Sequence, residues 1–186
     1  MLIEGFAESW VNSKHRVLGF DLLPFALWHR FQLQLLESPI LEGKVVLPAD
    51  LYQACRACQL VYPETIKGKI NMWSLRWRIA GNFKMEVQKF GEYLSDHFAP
   101  PQFLPPVRNY HRTEVLHPPP EEMRIFSAVV ALTGWSEEKI WMLPIGQAYW
   151  YAAGHWYQSG QELDFLTPEH LILKKRIDAM KAGTNG

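Results

Sequence analysis

The sequence predicts a mainly α-helical protein, built as two small helical subdomains that are joined by a proline-rich extended segment. Two observations predict this fold class. Apolar residues recur at steps of three and four along several stretches, which is the spacing that places them on one face of a helix. Seven of the thirteen prolines fall within residues 99–120, where a helix cannot form. The expected parts are residues 1–98, 99–120 and 121–186.

Two helices are expected in the amino-terminal part, after about 20 residues without a clean period. The first covers residues 24–37, with Pro24 in its first turn and an end before residues 38–39. The apolar residues that recur at helical spacing in and just before this helix are Phe20, Leu23, Leu27, Phe31 and Leu35. The second begins near Pro48, with Asp50 in its first turn. Its apolar face comprises Leu51, Ala54, Cys55 and Cys58.

Residues 69–98 carry the strongest periodic signal in the chain. The residues that follow the helical spacing are Ile70, Trp73, Trp77, Ala80, Phe83, Val87, Phe90, Leu94 and Phe98. They predict one amphipathic helix or a broken pair of helices. Gly81-Asn82 marks the expected interruption.

Beyond the proline-rich segment, start and stop signals predict a series of further helices. Acids at residues 121–122 begin one helix and Gly134 ends it. Ser136 is suited to cap the next, and Pro144 must kink that helix or separate it from an aromatic helix that runs to about residue 157. The last expected helix covers residues 167–181.

The sequence shows no grouping of reactive side chains. Cys55 and Cys58 form a lone C-x-x-C on the apolar face of a helix, which favours buried thiols over a redox or zinc site. His155 could act as a general base, but no nucleophile motif accompanies it. The acid pairs at residues 121–122 and 137–138 suit the positive ends of helices. Neither an enzyme nor a bound metal or cofactor is therefore expected.

The charge balance argues against a nucleic-acid partner. Nineteen basic residues match nineteen acidic residues, whereas nucleic-acid-binding chains usually carry a basic excess. Four basic residues near Trp77 offer a local alternative, although Trp77 is expected to face inward: Lys67, Lys69, Arg76 and Arg78. A net charge of zero also gives little repulsion between copies, so self-association is compatible with the sequence.

Two features favour a protein partner. Aromatic residues of the helix around residues 149–157 point in more directions than one face can bury, and the proline-rich segment carries apolar side chains. Exposed apolar surface usually marks a protein contact, with core packing as the alternative for the aromatic residues. The expected partner-binding residues are Trp141, Tyr149, Trp150, Tyr151, Trp156, Tyr157, Phe103 and Tyr110.

Two strings resemble proteins of tailed bacteriophages. Residues 135–144 read WSEEKIWMLP, and with Ala148, Tyr149 and Ala152 they resemble the small helical region of tail assembly proteins. Residues 23–29 read LPFALWH and resemble the opening of uncharacterised proteins from phage-like gene clusters. The resemblance implies a chaperone that coats the helical tape-measure protein before the tail tube forms, without catalytic residues.

The leading hypothesis from the sequence is thus a protein-binding factor of the tail assembly chaperone type. The alternatives are a structural subunit of a phage or phage-like tail and, with less support, a nucleic-acid-binding regulator. The amino-terminal residues do not show the basic start and apolar run of a secretory signal, and no stretch approaches the roughly 18 apolar residues that span a bilayer. We therefore expect a cytoplasmic protein without membrane contact, in the host cytoplasm if a phage encodes it.

Overall fold

The structure, a computed structural model, describes residues 14–67, 72–79, 82–98 and 120–160. The chain is mainly helical in these ranges, so the predicted fold class is confirmed. The expected helix over residues 167–181 and the proline-rich segment up to residue 119 lie outside the described residues. Phe103 and Tyr110 of the expected partner-binding set therefore also lie outside them.

The described chain begins with a short β-hairpin that the sequence analysis missed. Strand β1 (His15–Val17) pairs antiparallel with β2 (Phe20–Leu22), and Val17 lies opposite Phe20. The turn between them has positive φ at both Leu18 and Gly19, as in the tight turns that suit the twist of a hairpin. Strands of three residues are too short to show an alternating pattern in the sequence.

The first two helices lie close to the predicted positions. Helix α1 (Leu27–Leu35) is shorter than the predicted helix over residues 24–37. Residues before it are extended, because Ala26 forms a β-bridge with Pro144. Helix α2 (Pro48–Ala57) begins where predicted, and the Asp50 carboxylate accepts a hydrogen bond from the Leu47 N–H at 2.8 Å. This bond satisfies one of the unpaired donors at a helix start.

The long periodic segment forms two helices, which is one of the two arrangements that the sequence predicts. Helix α3 (Met72–Ile79) and helix α4 (Phe83–His97) are separate elements. The Asn82 side chain accepts a hydrogen bond from the Met85 N–H and caps α4, which confirms the interruption expected at this asparagine.

The carboxy-terminal helices of the described chain begin and end near the predicted positions, although the Ser136 side chain makes no capping hydrogen bond. Helix α5 (Glu121–Thr133) ends at Gly134, whose φ of 63° is left-handed. Ser136 precedes α6 (Glu137–Trp141), and Pro144 separates it from α7 (Ile145–Gln158). Helices α5 and α7 pack together. Small buried residues on α7 permit the close approach: Gly146, Ala148, Ala152 and Ala153.

One hydrophobic core contains residues from both sides of the proline-rich segment. Its fully buried members include Val17, Leu27, Leu51, Phe90, Tyr93, Ile125, Ile140 and Ile145. Backbone hydrogen bonds also join the two sides, because Leu27 N–H donates to the Leu143 carbonyl and Ile145 N–H donates to the Phe25 carbonyl. The division into two subdomains stays a prediction, but their described residues pack against each other.

Candidate binding cleft

A cleft of about 630 Å³ lies where α1, the loop after it, the end of α4, the start of α5 and α7 meet. Its volume is in the range of known ligand pockets. Five of its nine lining residues are aliphatic or phenylalanine. The lining residues are Phe25, Arg30, Ile40, Leu41, Leu94, Ser95, Phe98, Glu121 and Tyr149.

Arg30 is the centre of a polar network in this cleft and joins three helices. Its Nε donates to Glu122 Oε1 at 2.7 Å, and its Nη2 donates to Glu121 Oε2 at 2.6 Å. Its Nη1 donates to the Tyr149 hydroxyl at 2.9 Å. Because these bonds run from α1 to α5 and α7, they fix the relative position of three walls of the cleft. Charge-assisted bonds of this length are among the stronger ones in proteins.

The protonation states in this network follow from its geometry. Burial lowers the pKa of Arg30, but the Tyr149 hydroxyl and the two carboxylates outweigh burial, so the pKa rises and the guanidinium stays charged. Burial and a hydrogen bond to Glu121 raise the pKa of the Tyr149 hydroxyl well above its ordinary value. The hydroxyl therefore stays protonated, accepts from Arg30 and donates to the Glu121 carboxylate.

Glu122 is unusual because its carboxylate is almost fully buried. Its side chain is 1% exposed, and its second oxygen, Oε2, has no hydrogen-bond partner among the described residues. The side chain of Glu121 is by contrast 49% exposed. The network thus contains two carboxylates and one guanidinium, and its formal charge is −1.

The rim of the cleft, meaning the exposed part of its lining, includes two large apolar side chains beside the acid Glu121. Leu41 and Phe98 are each 39% exposed. The Phe98 ring meets the Tyr149 ring edge-on, with 5.6 Å between centroids, and lies 5.8 Å from the Arg30 guanidinium carbon. These contacts hold the ring in place while much of its surface faces solvent.

The expected partner-binding residues on the described chain lie in four different environments. Trp141 packs inside the core at 5% exposure, stacked on Phe126 at 5.0 Å, because α6 turns it inward. Tyr149 lines the cleft. Trp150, Tyr151 and Trp156 are half-buried, and Tyr157 is 65% exposed.

The Tyr151 and Trp156 rings contact side chains of the same chain. The Tyr151 ring meets the Trp135 ring edge-on at 5.2 Å, and the Arg124 guanidinium lies 5.8 Å from the Trp156 ring. Of the expected residues that the structure describes, only Tyr149 lines the cleft. Sequence reasoning missed Arg30, Leu41 and Phe98 as site residues.

The two cysteines considered as a reactive pair are buried. Cys55 lies in α2 and Cys58 follows it, both fully buried; burial raises the pKa of the Cys58 thiol to about 12 and that of Cys55 still further. The expectation of buried thiols is thus confirmed. Within residues 14–67, 72–79, 82–98 and 120–160, no group of three or more histidine, cysteine or acidic side chains could hold a metal ion.

Of the basic residues considered for nucleic acid, Arg78 contacts the hairpin. Arg78 donates to the Leu18 carbonyl at 2.5 Å, and its guanidinium lies 4.0 Å over the Phe20 ring. Lys67 and Arg76 are exposed, whereas Lys69 and the side chain of Trp77 lie outside the description. Arg78 therefore faces the hairpin, where it serves packing.

In the part of the chain that the structure describes, no helix combines the length and apolar character needed to cross a membrane. Searches against protein-family models, curated proteins and solved structures found no match for the chain.

Proposed function

We propose that this chain is a protein-binding factor that receives an apolar segment of another polypeptide in the cleft around Arg30. The observation that carries the proposal is the combination of exposed apolar side chains with a polar network that is fixed by hydrogen bonds. Leu41 and Phe98 expose apolar surface at the rim, and Arg30 ties α1, α5 and α7 together beneath it.

A cleft whose side chains are already fixed favours binding, because few side chains lose conformational freedom when the partner binds. The side chains of Arg30 and Tyr149 already hold defined positions through their mutual hydrogen bond. Binding then costs less side-chain entropy than it would on a surface of free side chains. An apolar anchor in such a cleft, surrounded by a rim that excludes water, is the usual arrangement of a binding hot spot.

The partner that we propose to test first is a long helical polypeptide of the tape-measure type. The resemblance to tail assembly proteins supports this choice, and so does the shape of the cleft. A helix presents apolar side chains every three or four residues, and one such side chain can enter a cleft of this size. The chain would then act as an assembly chaperone.

A site-specific cross-linking experiment tests the proposed cleft. The photoreactive residue p-benzoylphenylalanine replaces Leu41 or Phe98 in the chain expressed in its native host, and cross-linked peptides are identified by mass spectrometry. We expect both positions to cross-link to one defined segment of the same protein. Lys84, an exposed residue in the first turn of α4 outside the cleft lining, is the control position. Equal labelling from Lys84 would contradict binding in the cleft.

The fate of the chain distinguishes a chaperone from a structural subunit. A chaperone is present in assembly intermediates with its partner and absent from finished particles. A structural subunit remains in purified particles in a fixed ratio to the tail tube protein. Quantitative mass spectrometry of purified particles measures this ratio.

A further inference from the structure

The charge of the cleft restricts the chemistry of its partner. Glu121 and Glu122 together outweigh the single positive charge of Arg30. Arg30 already donates from Nε, Nη1 and Nη2 to three protein oxygens. An incoming anion would therefore meet a guanidinium that already uses three of its five N–H donors, beside two carboxylates that repel it.

A cation meets a more favourable situation in the same cleft. The Glu121 carboxylate accepts from Arg30 and Tyr149, but its two oxygens can accept further hydrogen bonds. About half of the side chain is exposed, so the carboxylate is within reach of a ligand at the cleft wall. Phe98 and Tyr149 offer aromatic surface next to it. Aromatic faces and carboxylates both attract lysine and arginine, and the methylene stem of either side chain can lie along the apolar rim.

We propose that the partner segment carries a lysine or arginine beside its apolar anchor, and that this cation pairs with Glu121 while the anchor packs against Leu41 and Phe98. This inference rests on the proposed function, since it names the chemistry of the polypeptide that enters the cleft. Glu122 lies deeper and contributes to the negative potential through its buried carboxylate. Charge complementarity of this kind sets selectivity between partners more than it sets total affinity.

Two matched peptides test the inference. Both are capped, fluorescein-labelled helical peptides of about 15 residues with the same stripe of leucines. One carries lysines beside the stripe, and the other carries glutamates at the same positions. In fluorescence anisotropy titrations at low salt, we expect the lysine peptide to bind about fivefold to tenfold more tightly. The preference should shrink as salt is added, because the pair is partly exposed.

Variants assign the preference to one residue. Glu121→Gln should remove most of the preference for lysine, whereas Glu138→Gln should leave it unchanged. Glu138 is the matched control because it is likewise an exposed acid in the first turn of a helix, and it lies outside the cleft lining. Circular dichroism and thermal melts confirm that both variants fold, and the salt dependence of the unmodified chain tests the charge without any variant.

The outcomes separate this inference from the proposed function. If both peptides bind equally and Leu41→Ser weakens both, the cleft takes apolar segments and the inference about charge is wrong. If neither peptide binds, or if Glu138→Gln and Glu121→Gln act alike, the charge inference is also wrong. The cross-linking from Leu41 and Phe98 would still decide the proposed function independently.

Discussion

His29 provides the most quantitative test of the packing described above. It is a fully buried residue of α1, and its Nδ1 accepts a hydrogen bond from the Ala26 N–H at 3.1 Å while its Nε2 donates to the Leu60 carbonyl at 2.9 Å. Burial, the largest cause, lowers its pKa from 6.5 to about 4. Protonation would also turn Nδ1 into a donor that faces the Ala26 N–H, so the hydrogen bond at the start of the helix would be lost.

The direction of the pH effect follows from these two pKa values. The unfolded chain takes up the proton near pH 6.5, whereas the folded chain resists it until about pH 4. The stability that neutral His29 provides is therefore complete above pH 6.5 and is lost as the pH falls toward 4. The full loss is about 3 kcal/mol, of which about 2 kcal/mol is reached at about pH 5.

Urea unfolding followed by tryptophan fluorescence at about pH 8 and pH 5 measures this loss, with His29→Gln as the comparison. Glutamine can accept and donate hydrogen bonds, but it does not titrate. We expect the unmodified chain to lose about 2 kcal/mol more than His29→Gln between the two pH values. His97, whose pKa is also lowered by burial, and the carboxylates titrate in both proteins. Equal losses in the two proteins would refute the reasoning.

Three further predictions concern other parts of the fold. Arg30→Met should lower the free energy of unfolding by about 3–5 kcal/mol because it leaves the buried Glu122 without its cation, and adding Glu122→Gln should recover part of that loss in urea titrations. Because the thiols of Cys55 and Cys58 are buried, they should react with a maleimide only as fast as the fold around them opens. Faster labelling in native buffer would show that the thiols are accessible in the folded chain. Gly91→Ala should raise the free energy of unfolding by about 0.5–1 kcal/mol, because a Cβ there meets nothing within 4 Å in the middle of α4.

Helix positions could be predicted from the sequence because the signals that set them are local. Ser136 directly precedes α6, and Pro144 directly precedes α7. Asn82 caps α4 in the same way. Start and stop residues act within one helical turn, so a single sequence contains the required information. The β-hairpin could not be predicted in this way because its strands of three residues are too short to show a period.

The cleft could not be predicted because its contacts are distant in sequence. Arg30 and Glu122 are 92 positions apart, and Arg30 and Tyr149 are 119 positions apart. The acids at residues 121–122 already had a sufficient local explanation in the dipole of α5. The available signal was Arg30 itself, a cation between apolar residues of α1, and such a residue needs a partner when it is buried.

The location of the cleft links binding to the packing of the whole chain. Phe98 at the end of α4 and Glu121 at the start of α5 both line it, although the chain between them is more than 20 residues long. A partner in the cleft thus contacts both sides of the proline-rich segment at once. Because such a partner binds only when α1, α4, α5 and α7 are packed together, its binding free energy adds to that of folding. A peptide that occupies the cleft should therefore raise the melting temperature with increasing concentration, whereas a peptide bound to one side alone would leave the packing between the sides unchanged.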